Sequence, residues 1–213
     1  MARMKKGEKH IKTLNHKDRE VFRCVNKTGW ISREDAKEHF KISDRRFDNY
    51  VKDNYFQEVE TKLGIFCKFT DEGKSVAEKT WGFENHYSTQ SVKHDYEITN
   101  KYLSLEQEQR ENSYTERELR HQLTDRANEL INSEHEHERE QGEEIMKGLQ
   151  DGTISCPDFA YVQVAEQGYE RVITFEVVTK NYTEQDVQAK ENYCAVMNYS
   201  YEQVRVWNIN FTS

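Results

Sequence analysis

Apolar positions in the first third of the chain fall into helical repeats separated by caps and breakers. Leu14, Val21, Phe22 and Val25 recur at the spacing that lines one face of a helix, with Asn15 as N-cap and Gly29 as breaker. Ser32 opens a second helix, SREDAKEHF, with Ala36 and Phe40 inward, and Asp35 three residues on gives a capping-box pattern. Ser43 opens a third, DRRFDNYVKDNYF, whose Phe47, Tyr50, Val51 and Tyr55 face inward. The period then changes. EVETKLGIFCKFT alternates around Gly64 as a β-hairpin does, with Val59 leading in and Ile65, Cys67 and Phe69 returning. TDEGKSVAEKTWG starts another helix behind Thr70 or Asp71. Three short helices with a tight connection between the last two, then a hairpin and a helix, is the order of a winged helix-turn-helix.

Farther on, QSVKHDYEITNKYLSLE has helical periodicity through Val92, Tyr96, Ile98 or Thr99, and Leu103. TERELRHQLTDRANELI predicts a helix capped by Thr115 with Glu118 as capping-box partner, and Leu119, Leu123, Ala127 and Leu130 as its buried stripe. The charge-dense SEHEHEREQGEEIMKGLQDG reads as a solvated loop or exposed helix. His135 and His137, one residue apart, cannot share a helix face, which argues against a metal there. CPDFAYVQV and RVITFEVVTK alternate as strands, with Gln167-Gly168 as their turn. EQDVQAKENYCAVMNY is an amphipathic helix with Val187, Tyr193 or Cys194, and Met197 inward, and EQVRVWNINF closes as a strand. Helix, strand, strand, helix, strand is an α/β arrangement. The expected fold is therefore α+β: a basic arm (1–14), a winged helix (15–84) and a small α/β domain (85–213).

Composition supports two units. Of 213 residues, 33% are charged and 35% hydrophobic, and the net charge is −8. Residues 1–80 hold 19 Lys and Arg against 14 Asp and Glu, and residues 81–213 hold 12 against 25. The basic half suits nucleic acid, since phosphate contacts need Lys and Arg. The apolar runs are too short for a membrane span, and the N-terminus lacks the apolar stretch of a signal peptide. Cys24, Cys67, Cys156 and Cys194 are scattered, with no zinc-like spacing, and read as reduced, partly buried thiols of a cytoplasmic protein.

Candidate chemistry falls in two places. The third helix would present Arg45, Arg46, Asn49 and Lys52 to a major groove, where Arg reads guanine, Asn reads adenine and Lys holds phosphate. Lys62 and Lys68 on the hairpin would meet backbone or minor groove. In the rear half, Asp158 starts one strand and Glu176 lies on its neighbour, an arrangement that can place two carboxylates side by side. Paired carboxylates hold Mg²⁺, which polarises a phosphate and activates water, with a lysine stabilising the developing charge.

Pro157-Asp158 followed by Glu176 resembles the PD-(D/E)xK nuclease pattern. That family's lysine falls two residues after the acid, where this chain has Val178; Lys180 bending back or Lys190 from the following helix is the substitute. The resemblance also implies a further glutamate from the preceding helix, Glu116 or Glu118. The whole order, from winged helix through His94-Asp95, TERELR, Pro157-Asp158 and Glu176, resembles the replication-relaxation family of plasmids, conjugative elements and phages over roughly residues 15–210. The resemblance implies a DNA-binding winged helix joined to a restriction-endonuclease-like domain, with a role in replication, relaxation or mobilisation.

Three readings follow. The first is a homodimeric accessory protein that binds double-stranded DNA, its rear domain a degenerate nuclease fold for dimerisation or for recruiting a relaxase or replication protein. The second is a Mg²⁺-dependent endonuclease using Asp158, Glu176 and Lys180. The third is a transcriptional repressor whose rear domain dimerises or senses a ligand.

Overall fold

The Asn15 side chain accepts the Lys17 and Asp18 amides, and the Asn15 N–H donates to Asp18 Oδ2 at 2.6 Å, which starts helix α1 (His16–Thr28). Gly29, at φ 84°, ends it in the left-handed conformation that side chains resist. There follow β1 (Ile31–Ser32), α2 (Arg33–Phe40), α3 (Asp44–Lys52), β2 (Phe56–Thr61), β3 (Gly64–Phe69), α4 (Asp71–Trp81) and α5 (Val92–Ser104). Ser32, Ser43 and Thr70 each accept the amide three residues ahead, as their sequence positions predicted. The computed structural model describes residues 9–88, 91–165 and 168–206. It divides the chain into two units, Met1–Leu103 and Ser104–Ser213.

The first unit is built around Phe22, which is fully buried and ringed by Tyr50, Phe56, Phe69 and Trp81 at centroid distances of 5.0–5.6 Å. Helix α4 comes close enough to Tyr55 that a Cβ on Gly73 would lie 2.0 Å from the Tyr55 carbonyl oxygen. The sheet is antiparallel in the order β1-β3-β2. β1, which pairs Ile31 with Cys67, is too short to leave a period in the sequence. Cys67 and Phe69 point inward as expected, but Ile65 is 58% exposed beside the Lys62–Leu63 turn. Phe66 is buried on the other face instead, against the rings of Trp30 at 6.1 Å and Tyr96 at 5.9 Å.

Tyr96 lies on α5, which explains why the division falls at Leu103/Ser104 and not at the expected 84/85. The Trp30 indole N–H donates to Asp95 Oδ2 at 2.8 Å, and the Tyr87 hydroxyl to Asp95 Oδ1 at 3.0 Å. The buried His94-Asp95 pair thus fastens α5 to the first unit. Residues 9–13, expected in a separate basic arm, lie against α3; residues 1–8 fall outside the described residues.

The second unit runs α6 (Gln107–Glu111), β4 (Ser113–Thr115), α7 (Glu116–Ile131), α8 (Glu136–Asp151), β5 (Phe159–Val164), β6 (Glu170–Val178), α9 (Glu184–Met197) and β7 (Ser200–Arg205). Its sheet order is β4-β5-β6-β7, antiparallel except for the parallel β6–β7 pair, which α9 connects. The Thr115–Glu118 capping box forms as predicted, and Leu119, Leu123, Ala127 and Leu130 are buried with Tyr193 of α9. The charge-dense segment is helix α8. It packs close to α7 at Gly142, where a Cβ would lie 2.7 Å from the Ala127 carbonyl oxygen, and its Glu-rich face points outward. Gln167 of the expected turn and residues 207–211 of the expected last strand lie outside the described residues. The fold is mixed α+β. All four cysteines are buried free thiols. Among the described residues no helix is long and apolar enough to cross a membrane.

Candidate functional site

On α3, Arg45, Asn49 and Lys52 stand at i, i+4 and i+7, which is one stripe of a helix. Arg45 and Lys52 are exposed, and Asn49 is half-buried. Arg46, expected to join them, turns the other way. Its Nε donates to Asp18 Oδ1 at 2.9 Å, and its Nη2 to Asp18 Oδ2 at 2.6 Å and to the Thr13 carbonyl at 2.8 Å. Asp18 is fully buried and also accepts the Tyr50 hydroxyl at 2.5 Å. The forked pair satisfies a buried carboxylate, so Arg46 serves the fold rather than a groove. Its bond to Asp18 raises its pKa, and burial followed by Asp18 raises that of Tyr50.

Arg33, which the sequence pattern did not single out, binds Asp48 at 2.7 Å and stacks 5.0 Å from the Phe47 ring centroid. It offsets the acid between Arg45 and Asn49 that would repel phosphate. Lys62 is exposed at the hairpin turn, whereas Lys68 is half-buried with its Nζ 5.9 Å from the Trp30 ring. Exposed Glu58 and Glu60 on β2 dilute the hairpin's positive charge.

In the second unit Asp158 stands just before β5 and Glu176 lies within β6, which adjoin through the Phe159–Phe175 pair. The two acids are cross-linked through each other's backbone. The Asp158 N–H donates to Glu176 Oε2 at 2.9 Å, and the Val177 N–H donates to Asp158 Oδ2 at 2.9 Å. The Tyr182 hydroxyl donates to Glu176 Oε1 at 2.7 Å. Lys190 Nζ lies 3.2 Å from the same oxygen and donates to the Cys156 carbonyl at 2.6 Å. Lys180 is exposed beyond the end of β6, so the structure brings Lys190, not Lys180, to the carboxylates. The sequence signal for this was present: Lys190 shares the inward stripe of α9 with Tyr193 and Cys194.

Glu176 is fully buried; burial and the neighbouring Asp158 push its carboxyl up to about 7. For Lys190, burial opposes the charge, but Glu176, Asp158 and Glu116 outweigh it and raise its pKa. Glu116 therefore contributes field at the cluster, while Glu118 is committed to capping α7.

No family model, curated protein or solved structure matches the chain.

The cluster does not suit Mg²⁺ as it stands. That ion takes near-octahedral oxygen geometry and keeps several waters. Here both Glu176 oxygens and Asp158 Oδ2 already accept bonds, Glu176 has no exposed surface, and the Lys190 ammonium lies 3.2 Å from Glu176 Oε1. Among the described residues no group of three His, Cys, Asp or Glu side chains could hold a metal.

Proposed function

We propose that the first unit is a winged helix that binds duplex DNA, with α3 in the major groove and the β2–β3 hairpin as the wing. On this reading the chain is a DNA-binding accessory protein of a plasmid, phage or other mobile element, acting in replication, relaxation or mobilisation. The second unit is a restriction-endonuclease-like scaffold that dimerises or recruits a relaxase or replication protein. The observation that carries the DNA reading is the Arg45–Asn49–Lys52 stripe, on a helix that follows α2 after a short connection and precedes an antiparallel hairpin. Arg and Asn are the side chains suited to guanine and adenine edges, and Lys to phosphate. The mobile-element assignment draws on the order of sequence motifs.

The test is fluorescence anisotropy with short randomised duplexes. Arg45→Ala with Lys52→Ala should weaken binding by roughly tenfold, because it removes both exposed charges of the stripe that can meet phosphate, and leave the urea midpoint unchanged. Wild-type affinity in that variant, or no duplex binding by the wild type at low salt, overturns the proposal.

The endonuclease reading draws on one observation, the convergence of Asp158, Glu176 and Lys190. The commitments of their polar atoms to one another favour the scaffold.

A further inference from the structure

Helix α3 carries an acid on the face that would meet the groove. Asp48 lies three residues after Arg45 and one before Asn49, so it borders their stripe, and its side chain keeps 43% of its surface exposed. An acid on such a face costs affinity, because attraction to a duplex backbone comes from Lys and Arg. Yet the structure holds this carboxylate in a fixed direction. Arg33 Nη1 lies 2.7 Å from Asp48 Oδ1 and donates to the Asp44 carbonyl at 3.2 Å. Its Nη2 lies 3.6 Å from Glu58 of β2, and the guanidinium stacks 5.0 Å from the Phe47 ring centroid. Arg33 therefore meets α3 at Asp44, Phe47 and Asp48, and meets the hairpin at Glu58. A planar fork held at four points orients the acid it binds.

An ionised carboxylate only accepts hydrogen bonds, and its two oxygens have lone pairs for several donors. With Oδ1 on Arg33, the half-exposed group can still take a donor from outside. The base edges of a major groove differ in what they offer it. Guanine presents two acceptors there, thymine an acceptor and a methyl group, and adenine an acceptor beside its amino group. Cytosine presents its N4 amino donor without an adjoining acceptor, so it is the base that an aspartate suits. Asp48 lies about 4.5 Å from Arg45 along the helix axis, near the spacing of about 3.4 Å between successive base pairs. The two side chains can thus reach neighbouring pairs.

We infer that Asp48 is a specificity-determining residue that accepts the N4 amino group of a cytosine, in the base pair next to the guanine read by Arg45, with Arg33 as its positioning residue. The inference rests on the duplex-binding reading and deepens it by naming part of the sequence that α3 selects.

The experiment is sequencing of the duplexes that the full chain selects from a randomised pool, with anisotropy titrations on the selected site and on the unselected pool. The wild type should select a site with a cytosine beside a guanine, and replacing that cytosine should weaken its binding roughly tenfold. Asp48→Ala should lose the preference at that position alone, keep the guanine, and bind the unselected pool more tightly, since a negative charge has gone. Asp48→Asn, which keeps the shape, should move the preference to adenine, the base an amide fits. Arg33→Ala should blunt the cytosine preference with a near-native urea midpoint, because a half-exposed ion pair contributes little to stability. A pair that serves the fold alone would shift the midpoint or the overall affinity without changing the base selected. That pattern, the wild-type site selected unchanged by Asp48→Ala, or a wild type that binds without selecting cytosine overturns the inference. In each of those cases loss of binding in Arg45→Ala with Lys52→Ala leaves the α3 reading standing. If Asp48→Ala fails to fold, the base selected by Asp48→Asn decides. A wild-type chain that binds no duplex overturns both.

Discussion

In the first unit Asp18 accepts a forked bond from Arg46 and the Tyr50 hydroxyl; in the second, Glu176 accepts the Lys190 ammonium and the Tyr182 hydroxyl. Both carboxylates are fully buried, and each has a cation and a phenol. Their surroundings differ. Asp18 sits in the first turn of α1, where amides and dipole favour negative charge, and its arginine keeps 26% exposure. Glu176 lies inside a sheet beside a second carboxylate, with one ammonium that is itself 9% exposed. The first cluster balances its charge, and the second holds one acid more than its lysine neutralises. Burial first, and then that surplus acid, push the Glu176 carboxyl up to about 7. A carboxylate, a cation and a phenol thus make a settled clasp in one place and a loaded one in the other.

The sharpest way to break this comparison is Lys190→Met. It leaves two buried acids without their cation and should destabilise the second unit by about 3–5 kcal/mol, read from urea unfolding. Pairing it with Glu176→Gln should recover much of that loss; an unaltered midpoint in the single variant would show that the ammonium does not hold the cluster. The pH response has a definite sign. The folded Glu176 binds its proton more tightly than the unfolded one, so wild-type stability relative to Glu176→Gln should fall as pH rises from 4.5 to about 7. A difference that grows over that range contradicts the account.

Arg46→Ala comes next. It should cost about 2 kcal/mol, the worth of hydrogen bonds to a charged group, and change little with salt, because Asp18 is out of solvent. If instead it reduced DNA affinity as much as Arg45→Ala with no loss of stability, the arginine would belong to the groove-facing stripe after all. The smallest effects are those of the phenols: Tyr50→Phe and Tyr182→Phe should each cost about 1 kcal/mol, read as a midpoint shift. A neutral Tyr182→Phe would mean that Lys190 alone satisfies Glu176 Oε1.

The sequence made these clusters legible to different depths. Caps at Asn15, Ser32, Ser43, Thr70 and Thr115 could be read because capping is local, set by a side chain and an amide two or three residues apart. The inward stripes of α3 and α7 could be read because one face of each packs on a core, whereas α1 is buried on every side from Glu20 to Thr28. Arg46 was misplaced because helical position alone does not show that Asp18, 28 residues back, lies beneath it. Lys180 was favoured by its nearness to Glu176 along the strand, whereas Lys190 reaches the same acid through the α9 crossover, a relation set by topology. β1 and β4 were invisible because two or three residues carry no period, although each fixes a sheet edge.

The most direct test of the account is a supercoiled-plasmid assay with Mg²⁺ or Mn²⁺, wild type beside Asp158→Ala and Arg45→Ala with Lys52→Ala, with retardation and strand breakage read on the same samples. The account predicts that the wild type and Asp158→Ala retard the plasmid without breaking it, and that the α3 variant does not retard it. Metal-dependent nicking or linearisation by the wild type, abolished in Asp158→Ala, would contradict it.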